Sequence, residues 1–207
     1  MTIENFFTNA TTDIITQNLL GHELLYQSPK GVVGGLIVEA ESYMGIKDSA
    51  AHSFQGRRSP SNEALYGPAG TIYIYSIYGH YMFDIATQAA GEPQGILIRA
   101  LQPTQGQKIM EQNRHLNGYN LTNGPGKLMA ALGINSFALN QKLLSQSPLS
   151  VSPQRKKEPR RIIAAPRVNV SAGAWQNRPL RFYVAGNPYV SGTAKRSWEL
   201  STWGWLN

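Results

Sequence analysis

The sequence VEAESYMGIKDSAAH, at residues 38–52, brings two carboxylates, a tyrosine and a histidine close together. Glu39 and Glu41 are two residues apart, so in a β-strand their side chains point to the same face. Burying two charges on one face is costly unless chemistry requires them there. The segment is therefore either a solvated strand edge or a site in which Glu41, together with Tyr43 and His52, acts as a catalyst.

A cation could belong to the same site. Arg99 lies in the strand-like run GILIRAL, at residues 95–101, where alternation turns its side chain away from Ile98 and Ala100. It is either an arginine at a solvated strand edge or a binding group on an inner face. The second interpretation requires a partner for its charge.

An aromatic β-hairpin is the clearest local pattern. The run TIYIYSIY at residues 71–78 alternates, and Gly79, His80 and the apolar run YMFDIAT follow it. Tyrosines on strands usually pack half-buried, but Tyr78 stands at the turn, where it has little to pack on. An exposed aromatic there indicates a wedge or a stacking platform, such as proteins insert between the bases of a duplex.

The other elements indicate an α+β fold. The predicted helices lie at 11–25, with Gly21 near its break or end, at 105–115, and at 123–133, with Pro125 in the first turn and Gly133 after the end. The predicted strands beyond the hairpin lie at 32–43 and 95–101 and in the runs RIIAAPRVNV and PLRFYVAG. Long polar loops are predicted at 44–70 and 145–160. Hairpins and isolated helices without βαβ alternation are typical of α+β domains.

Composition excludes several classes of site. With 207 residues and 42% hydrophobic content, the chain fits one domain better than two. It has no cysteine, which rules out disulfides and thiolate sites, and its four scattered histidines argue against zinc, so we expect no metal. No stretch is long and apolar enough for a membrane span, and MTIENFFTNATTD lacks the features of a signal peptide, so an intracellular protein is expected.

The charge distribution is compatible with a polyanionic partner. The net charge is +7; residues 1–150 carry nine Lys/Arg against ten Asp/Glu, whereas residues 151–207 carry ten against two. The segment RKKEPRR at 155–161 could contact nucleic acid, although many basic proteins bind none. The sequence GPGK at 124–127 lacks the spacing of a nucleotide phosphate loop and instead starts a helix, whose amides could face a DNA phosphate.

Taken together, these motifs resemble the alkyladenine (3-methyladenine) DNA glycosylases found in mammals and many bacteria. The motifs that agree in order and spacing are VEAESYMGIKDSAAHS, GTIYIYSIYG, LIRALQP, NGPGKLMAALGI and PRVNVSAGAWQNRPLRFYVAGNPYVS. The resemblance runs to about Ser191 and leaves the Trp-bearing tail, residues 192–207, outside. It implies that residues 1–207 form a single mixed domain with a curved antiparallel sheet, flanking helices and a protruding hairpin.

The resemblance also implies roles for individual residues. Glu41 would activate water, and Arg99 matches an arginine beside the catalytic water, where it orients Glu41 or contacts a phosphate. Tyr78 would intercalate into the DNA. The residues of the base pocket would be Tyr43, His52, Tyr75, Asp84 and Leu97. Those that contact the DNA backbone would be Arg57, Arg58 and Lys127.

The implied reaction is excision of damaged purines, of the 3-methyladenine, 7-methylguanine, hypoxanthine and ethenoadenine class, from double-stranded DNA. The enzyme would flip the nucleotide out and hydrolyse the N-glycosidic bond without a cofactor. No lysine occupies a motif position suited to a Schiff base, so a monofunctional glycosylase that leaves an abasic site is expected. We expect a monomer in the cytoplasm of a bacterium, associated with the nucleoid and not with a membrane.

Two positions depart from the family pattern. Where the family has an asparagine that crowds the exocyclic amine of guanine, a turn one residue shorter brings Asp84. As a carboxylate, Asp84 would accept a hydrogen bond from that amine, and the enzyme would then tolerate guanine lesions. Alternatively, the shorter turn repacks and Asp84 points elsewhere. Ser61 replaces a family arginine, while Arg58 adds a charge beside Arg57.

Two other functions are compatible with parts of the pattern. The main alternative is a non-catalytic nucleic-acid or lesion binding module, which would keep its behaviour after Glu41→Gln. A small-molecule nucleosidase is the second, although it would leave Tyr78 and the basic C-terminal segment without a purpose. It would bind free nucleosides in preference to duplex DNA.

Overall fold

The computed structural model describes residues 3–206. The α-helices are α1 (Ile3–Phe6), α2 (Thr12–Leu19), α3 (Gln107–Arg114) and α4 (Pro125–Leu132). The β-strands are β1 (Glu23–Ser28), β2 (Gly31–Tyr43), β3 (Ile72–Ile77), β4 (His80–Thr87), β5 (Gln94–Gln105), β6 (Leu149–Val151), β7 (Ile162–Ala165) and β8 (Arg181–Val184). Short 3₁₀ segments lie at Gly45–Lys47, Phe54–Gly56, Glu63–Tyr66, Tyr119–Leu121, Leu144–Gln146 and Lys195–Ser197.

One antiparallel sheet organises these elements. Six strands follow the order β3-β4-β5-β2-β1-β6, and β8 pairs with both β2 and β7. The long strands β2 and β5 form its centre, where the pairing register shifts between Ile37 and Ala40. Such a bulge locally changes which side chains face each other. The α+β class predicted from the sequence is confirmed.

Helices α2 and α4 cover the sheet through apolar faces. In α2, Ile15 and Leu19 are fully buried at helical spacing. In α4, Pro125 occupies the first turn, and Gly133 ends the helix with a φ of 78°. Both features follow the predicted pattern for residues 123–133.

The hairpin predicted from residues 71–87 is β3 and β4. Ile77 pairs with His80, so Tyr78 and Gly79 alone form the turn. Their φ values are 49° and 78°. Positive φ at both central residues is the geometry of a two-residue turn that fits the twist of the flanking strands.

Two predicted segments differ from the structure. The helix expected over 11–25 ends at Leu19, just before Gly21, where its break or end was predicted, but residues 23–25 belong to β1 because they pair with β2. Gly21 lies between them with a φ of 84°, and a Cβ there would sit 1.9 Å from the carbonyl oxygen of Lys157. The loop expected over 145–160 contains β6, which pairs with β1. In both cases, pairing with a distant segment overrides the local pattern.

The Trp-bearing tail packs against the body as far as the structure describes it. Trp205 is 1% exposed, and its indole Nε1 donates to Oε1 of Gln102 at 2.8 Å. Trp198 and Trp203 make edge contacts with the ring of Tyr119. Met1, Thr2 and Asn207, which belong to the predicted domain and tail, lie outside the described residues. Within the described part, no helix is long and apolar enough to cross a bilayer.

The basic segment 155–161 lies beside β1, far along the sheet order from the hairpin. The backbone amides of Lys156 and Lys157 donate to the carbonyl of Gly21, just before β1. Arg155 is paired with Glu158 and also donates to the carbonyl of Asn18. The hairpin strands end the sheet path at its other edge. In the described sheet order, β2 and β5 therefore lie between the start of the basic segment and the hairpin.

Candidate active site

One row of residues crosses five strands of the sheet. Directly paired positions along β3, β4, β5, β2 and β8 are Tyr73, Asp84, Leu97, Glu41 and Arg181. Directly opposed residues of antiparallel strands place their side chains on the same face. Tyr75 and Tyr43, each two positions along its strand, share that face. The sheet therefore brings together residues that are far apart in the sequence.

Arg99 is held between the two carboxylates of β2. Its Nε donates to Oε1 of Glu39 at 2.9 Å, and its Nη1 lies 3.3 Å from Oε1 of Glu41. Arg99 is 6% exposed and both glutamates are fully buried. Arg99 is thus on an inner face with partners for its charge, which excludes the strand-edge alternative for this residue and for both glutamates.

Glu39 has its hydrogen-bonding capacity committed to the protein. Besides Arg99, its Oε1 accepts from Nη1 of Arg181 at 3.1 Å and from Oγ of Ser191 at 2.8 Å. Its Oε2 accepts from the backbone amide of Ser191 at 2.7 Å. Glu39 therefore fixes Arg99 and the segment that follows β8. Its structural role was not predicted from the sequence, where nothing links positions 39 and 191.

Glu41 has fewer partners and a perturbed ionisation. Its Oε1 accepts from the backbone amide of Val168 at 2.8 Å, and its Oε2 accepts from the hydroxyl of Tyr43 at 3.1 Å. Burial raises the pKa of Glu41 above its ordinary value, although Arg99 and the Val168 amide act in the opposite direction. A carboxylate with a raised pKa is a stronger base, and such groups are typical of catalytic sites.

A buried ion pair positions the segment that contacts Glu41. Arg167 and Asp48 are both fully buried, with Nη1 to Oδ2 at 2.6 Å and Nη2 to Oδ1 at 2.8 Å. The guanidinium of Arg167 also lies 4.6 Å from the centre of the Tyr43 ring. Bidentate arginine–carboxylate pairs fix orientation as well as distance. This pair, 119 residues apart in the chain, places Val168 against Glu41 and was missed in the sequence.

An aromatic cavity adjoins the row. Its volume is about 210 Å³, and its lining includes Tyr43, His52, Tyr75, Asp84 and Asn169. That is below the roughly 300 Å³ at which pockets for drug-sized ligands begin. The size suits a single aromatic ring system. The cavity thus brings four of the five predicted pocket residues together, while the fifth, Leu97, is buried in the row between Asp84 and Glu41.

The wall of the cavity is ordered by ring contacts. The rings of Tyr73 and Tyr75 stack with centres 4.9 Å apart, and the ring of His52 meets Tyr75 edge-on at 4.8 Å. Nδ1 of His52 and the hydroxyl of Tyr73 are 2.8 Å apart. Desolvation, aided by Arg57, lowers the pKa of His52, so its ring is neutral at pH 7. Tyr73 was not among the predicted pocket residues, although strand alternation places it beside Tyr75.

Asp84 is a buried acid rather than a solvated carboxylate. It is 4% exposed, and burial raises its pKa to about 8. A hydrogen bond with Tyr75 acts in the opposite direction, and the charge of Glu41 adds to the rise. At neutral pH the raised pKa favours the protonated form, which differs from the ionised, purely accepting carboxylate expected from the sequence. Because the pairing with Leu97 turns Asp84 onto the cavity face, the alternative in which it points elsewhere is also excluded.

The residues predicted to contact DNA lie around the hairpin and the loop beside it. Tyr78 is 98% exposed at the tip. Gly126, in the first turn of α4, lies so close to His80 that a Cβ would be 3.0 Å from the His80 Cβ. Because His80 directly follows the turn, Lys127 lies near the tip of the hairpin. Arg57 lines an open groove of about 690 Å³ that shares His52 and Tyr75 with the cavity.

Arg58 differs from Arg57 in that its charge is already paired. Its Nε donates to Glu63 at 2.9 Å, and its guanidinium lies 4.5 Å from the centre of the Tyr66 ring. The loop itself is held by Asn62, which is 3% exposed and donates to the carbonyls of His52 and Arg57. Asn62 thus connects the cavity wall to the loop, a role that the sequence did not reveal.

Comparisons with known proteins identify the family of the chain. A model of the family described as Methylpurine-DNA glycosylase matches residues 5–188. A protein of Latilactobacillus sakei subsp. sakei (strain 23K), named "Putative 3-methyladenine DNA glycosylase", is 50% identical over 203 residues, which cover 97% of this chain and 95% of the relative. A protein of the same name from Lactobacillus delbrueckii subsp. bulgaricus (strain ATCC BAA-365 / Lb-18) is 48% identical over 209 residues and covers 100% of both chains.

A more distant relative shows the same likeness. A protein of Enterococcus faecalis (strain ATCC 700802 / V583), again of that name, is 43% identical over 203 residues, covering 97% of this chain and 88% of the relative. The match in Lactobacillus delbrueckii extends through the Trp-bearing tail, beyond the residues that the family model covers. The chain therefore belongs to the methylpurine-DNA glycosylase family, a family of DNA-repair enzymes, as its motifs predicted.

Proposed function

We propose that the protein is a monofunctional glycosylase that flips alkylated or deaminated purines out of double-stranded DNA and hydrolyses the N-glycosidic bond, leaving an abasic site. The observation that carries this proposal is a fully buried Glu41 with a raised pKa, held by Arg99 beside an aromatic cavity of the size of one base. Substrates of the class are 3-methyladenine, 7-methylguanine, hypoxanthine and ethenoadenine. The enzyme would act on these lesions in bacterial DNA in the cytoplasm.

Base flipping accounts for an exposed hairpin tip next to a cavity that Ile77, the residue before Tyr78, also lines. A base inside a duplex cannot reach a buried carboxylate, so the nucleotide must leave the stack. The exposed ring of Tyr78, at the end of a rigid two-residue turn, would fill the gap that remains. The flipped base would enter the cavity and stack against Tyr43, Tyr75 and His52.

The aromatic lining suits a base that carries positive charge. Alkylation at ring nitrogens makes purines cationic, and cations are attracted to the faces of aromatic rings. A neutral His52 adds a polar ring without repelling such a base. A cationic base is also a good leaving group, so its removal requires less help than removal of a neutral one.

Glu41 would serve two purposes in the reaction. As the glycosidic bond breaks, positive charge develops on the sugar, and an ionised carboxylate stabilises it. The same carboxylate would take a proton from the attacking water. Arg99 favours the ionised form of Glu41 and fixes its orientation, so we assign it a positioning role. Of the described residues, those that line the cavity include no lysine that could attack the sugar.

Contacts to the DNA backbone would come from two sides of the hairpin. Arg57 lines the groove next to the cavity, and Lys127 lies in the first turn of α4, near His80 at the tip of the hairpin. Arg58 would contribute less because a bound phosphate would have to compete with Glu63. Each phosphate contact that forms should add about one unit to the dependence of log affinity on log salt.

The test is single-turnover incubation with a duplex that carries one hypoxanthine or one methylated purine. We expect release of the free base and an abasic site that breaks only after alkali, with no protein–DNA adduct trapped by borohydride. Free nucleosides at the same concentration should neither react nor compete. Competition by nucleosides would favour the nucleosidase, and binding without release on every lesion would favour the binding module.

A further inference from the structure

The carboxyl group of Asp84 contains a polar atom that the protein leaves without a partner. Asp84 is 4% exposed and lines the base-sized cavity. Its Oδ1 has no hydrogen-bond partner among the described residues. A buried polar atom without a partner is costly, and its presence at a cavity wall indicates a group that a ligand satisfies.

The groups that face Asp84 do not favour a negative charge there. From β3, Tyr75 is hydrogen-bonded to it and Tyr73 is paired with it across the hairpin. From β2, Asp84 faces the acidic Glu41 and the hydroxyl of Tyr43. The pKa of Tyr43 is raised by burial first, then by the charge of Glu41 and then by that of Asp84. From β5, it pairs with the apolar Leu97. The nearby cation, Arg99, is engaged by the two glutamates.

We propose that Asp84 contacts the flipped base as a neutral carboxylic acid and that its free Oδ1 side donates a hydrogen bond to an acceptor atom of the purine, a ring nitrogen or a carbonyl oxygen. The inference rests on the proposed function, because it assumes that the cavity holds a base. It assigns Asp84 to the selection and departure of neutral lesions, for which a donor at the leaving base matters most.

The ionisation of the group agrees with this geometry. Burial raises the pKa of Asp84 to about 8, so at pH 7 most molecules carry the proton. A protonated carboxyl has one donor and retains an acceptor.

The leaving group explains why a donor would be useful. When the glycosidic bond breaks, its electron pair goes to the base. A cationic methylated purine is neutralised by that pair, whereas a neutral purine such as ethenoadenine becomes negatively charged. A hydrogen bond from Asp84 stabilises the negative charge that develops on a neutral purine and does little for a cationic one.

Two variants of Asp84 test the inference by comparing bases that differ in charge. Ethenoadenine serves as the neutral base, because it has no ring proton that itself ionises near pH 8, and 3-methyladenine as the cationic base. Release of each is measured in single turnover from pH 6 to 9.5. With the wild-type enzyme, ethenoadenine release should fall roughly 10- to 100-fold as the pH passes about 8, the effect of one lost hydrogen bond to a charged group.

Asp84→Asn keeps a donor of the same shape and cannot ionise. It should release ethenoadenine at pH 7 within about threefold of the wild-type rate, and the fall near pH 8 should disappear. Asp84→Ala removes the donor. It should lower ethenoadenine release at pH 7 by roughly 10- to 100-fold more than it lowers 3-methyladenine release.

Three results would overturn the inference. One is the same fall near pH 8 in Asp84→Asn as in the wild type. Another is an equal fall in the release rates of both bases in Asp84→Ala, which would indicate a structural role. In either case, release by the wild type leaves the proposed function intact. If the wild type releases neither base at any pH, the proposed function fails and the inference fails with it.

Discussion

Glu39 and Glu41 lie two residues apart on one face of β2 and share Arg99, yet their surroundings separate them. Glu39 accepts four hydrogen bonds, from Arg99, Arg181 and the amide and hydroxyl of Ser191. Glu41 faces the Tyr43 hydroxyl and the Val168 amide instead. Protein groups occupy the hydrogen-bonding positions of Glu39, whereas Glu41 has a raised pKa. Contacts made by distant segments therefore give Glu39 a structural role and make Glu41 the stronger base.

Replacing Glu39 by glutamine should strongly destabilise the fold. Arg99 and Arg181 would lose the carboxylate that compensates them in a buried site, and breaking such a pair costs about 3–5 kcal/mol. Urea unfolding of both proteins measures the difference. Glu63→Gln is the matched control, since it breaks an exposed pair with Arg58 and should change stability little. Equal effects of the two substitutions would contradict the role given to Glu39.

Removal of the Tyr43 hydroxyl should shift the acid limb of the pH–rate profile. Its hydrogen bond lowers the pKa of Glu41, so Tyr43→Phe raises that pKa further. A higher pH is then needed to ionise Glu41, and the acid limb moves up by about 0.5–1 pH unit. The phenyl ring still stacks on the base. Tyr66→Phe, which removes a hydroxyl bonded to the Arg57 carbonyl, is the control and should leave the limb in place.

At the scale of elements, the hairpin shows a conflict between local stability and exposure. Tyr78 has a φ of 49°. This region is unfavourable for a bulky residue by about 1–2 kcal/mol, whereas asparagine tolerates it well. Its side chain is also 98% exposed, so packing does not compensate for the strain. Strain of this kind is typical of functional positions.

Substituting Tyr78 by asparagine should therefore separate folding from activity. The variant should be as stable as the wild type or more stable, by up to about 1 kcal/mol. Release of base from a duplex should fall roughly 100-fold, because the flipped nucleotide loses the wedge that fills its place. Tyr78→Phe keeps the wedge and should behave like the wild type. Full activity of Tyr78→Asn in duplex DNA would exclude a wedge.

The hairpin, the strand over 32–43 and the helix over 123–133 could be predicted because their determinants are local. Alternation and the Tyr78-Gly79 turn specify the hairpin, and Pro125 and Gly133 mark the ends of the helix. Gly21 indicated where α2 ends, but β1 could not be predicted, because residues 23–25 join it only through pairing with β2.

The site was partly predictable for the same reason. Glu41, Tyr43, His52 and Tyr75 lie in recognisable local motifs, and the sheet brings them together. The contacts that tune them are non-local: Ser191 is 152 residues from Glu39 and Val168 is 127 residues from Glu41. The protonation of Asp84 was also beyond prediction, since it depends on burial and not on the residue type.

For the whole molecule, the C-terminal tail contributes to the core. Trp205 is among the largest fully buried side chains, and its indole donates a hydrogen bond to Gln102 of β5. The backbone of the same residue also forms a bridge with Pro159. The tail therefore joins the basic segment to the sheet.

Truncation of that residue should show its contribution. Trp205→Ala should lower the free energy of unfolding by about 3–5 kcal/mol, as expected for a large aromatic side chain removed from a core. Thermal or urea unfolding gives the value. Leu206→Ala, at a neighbouring position that is 51% exposed, should cost far less. A loss below about 1 kcal/mol in Trp205→Ala would mean that the tail is only loosely attached.

The central claim is that Glu41 is the base that activates water, and one comparison tests it most directly. Release of hypoxanthine or a methylated purine from a duplex is measured in single turnover for the wild type and for Glu41→Gln, together with lesion binding. We expect release to fall by a factor of at least about 100 in the variant, with binding retained. Release by Glu41→Gln at the wild-type rate would contradict the assignment and require another residue to activate the water.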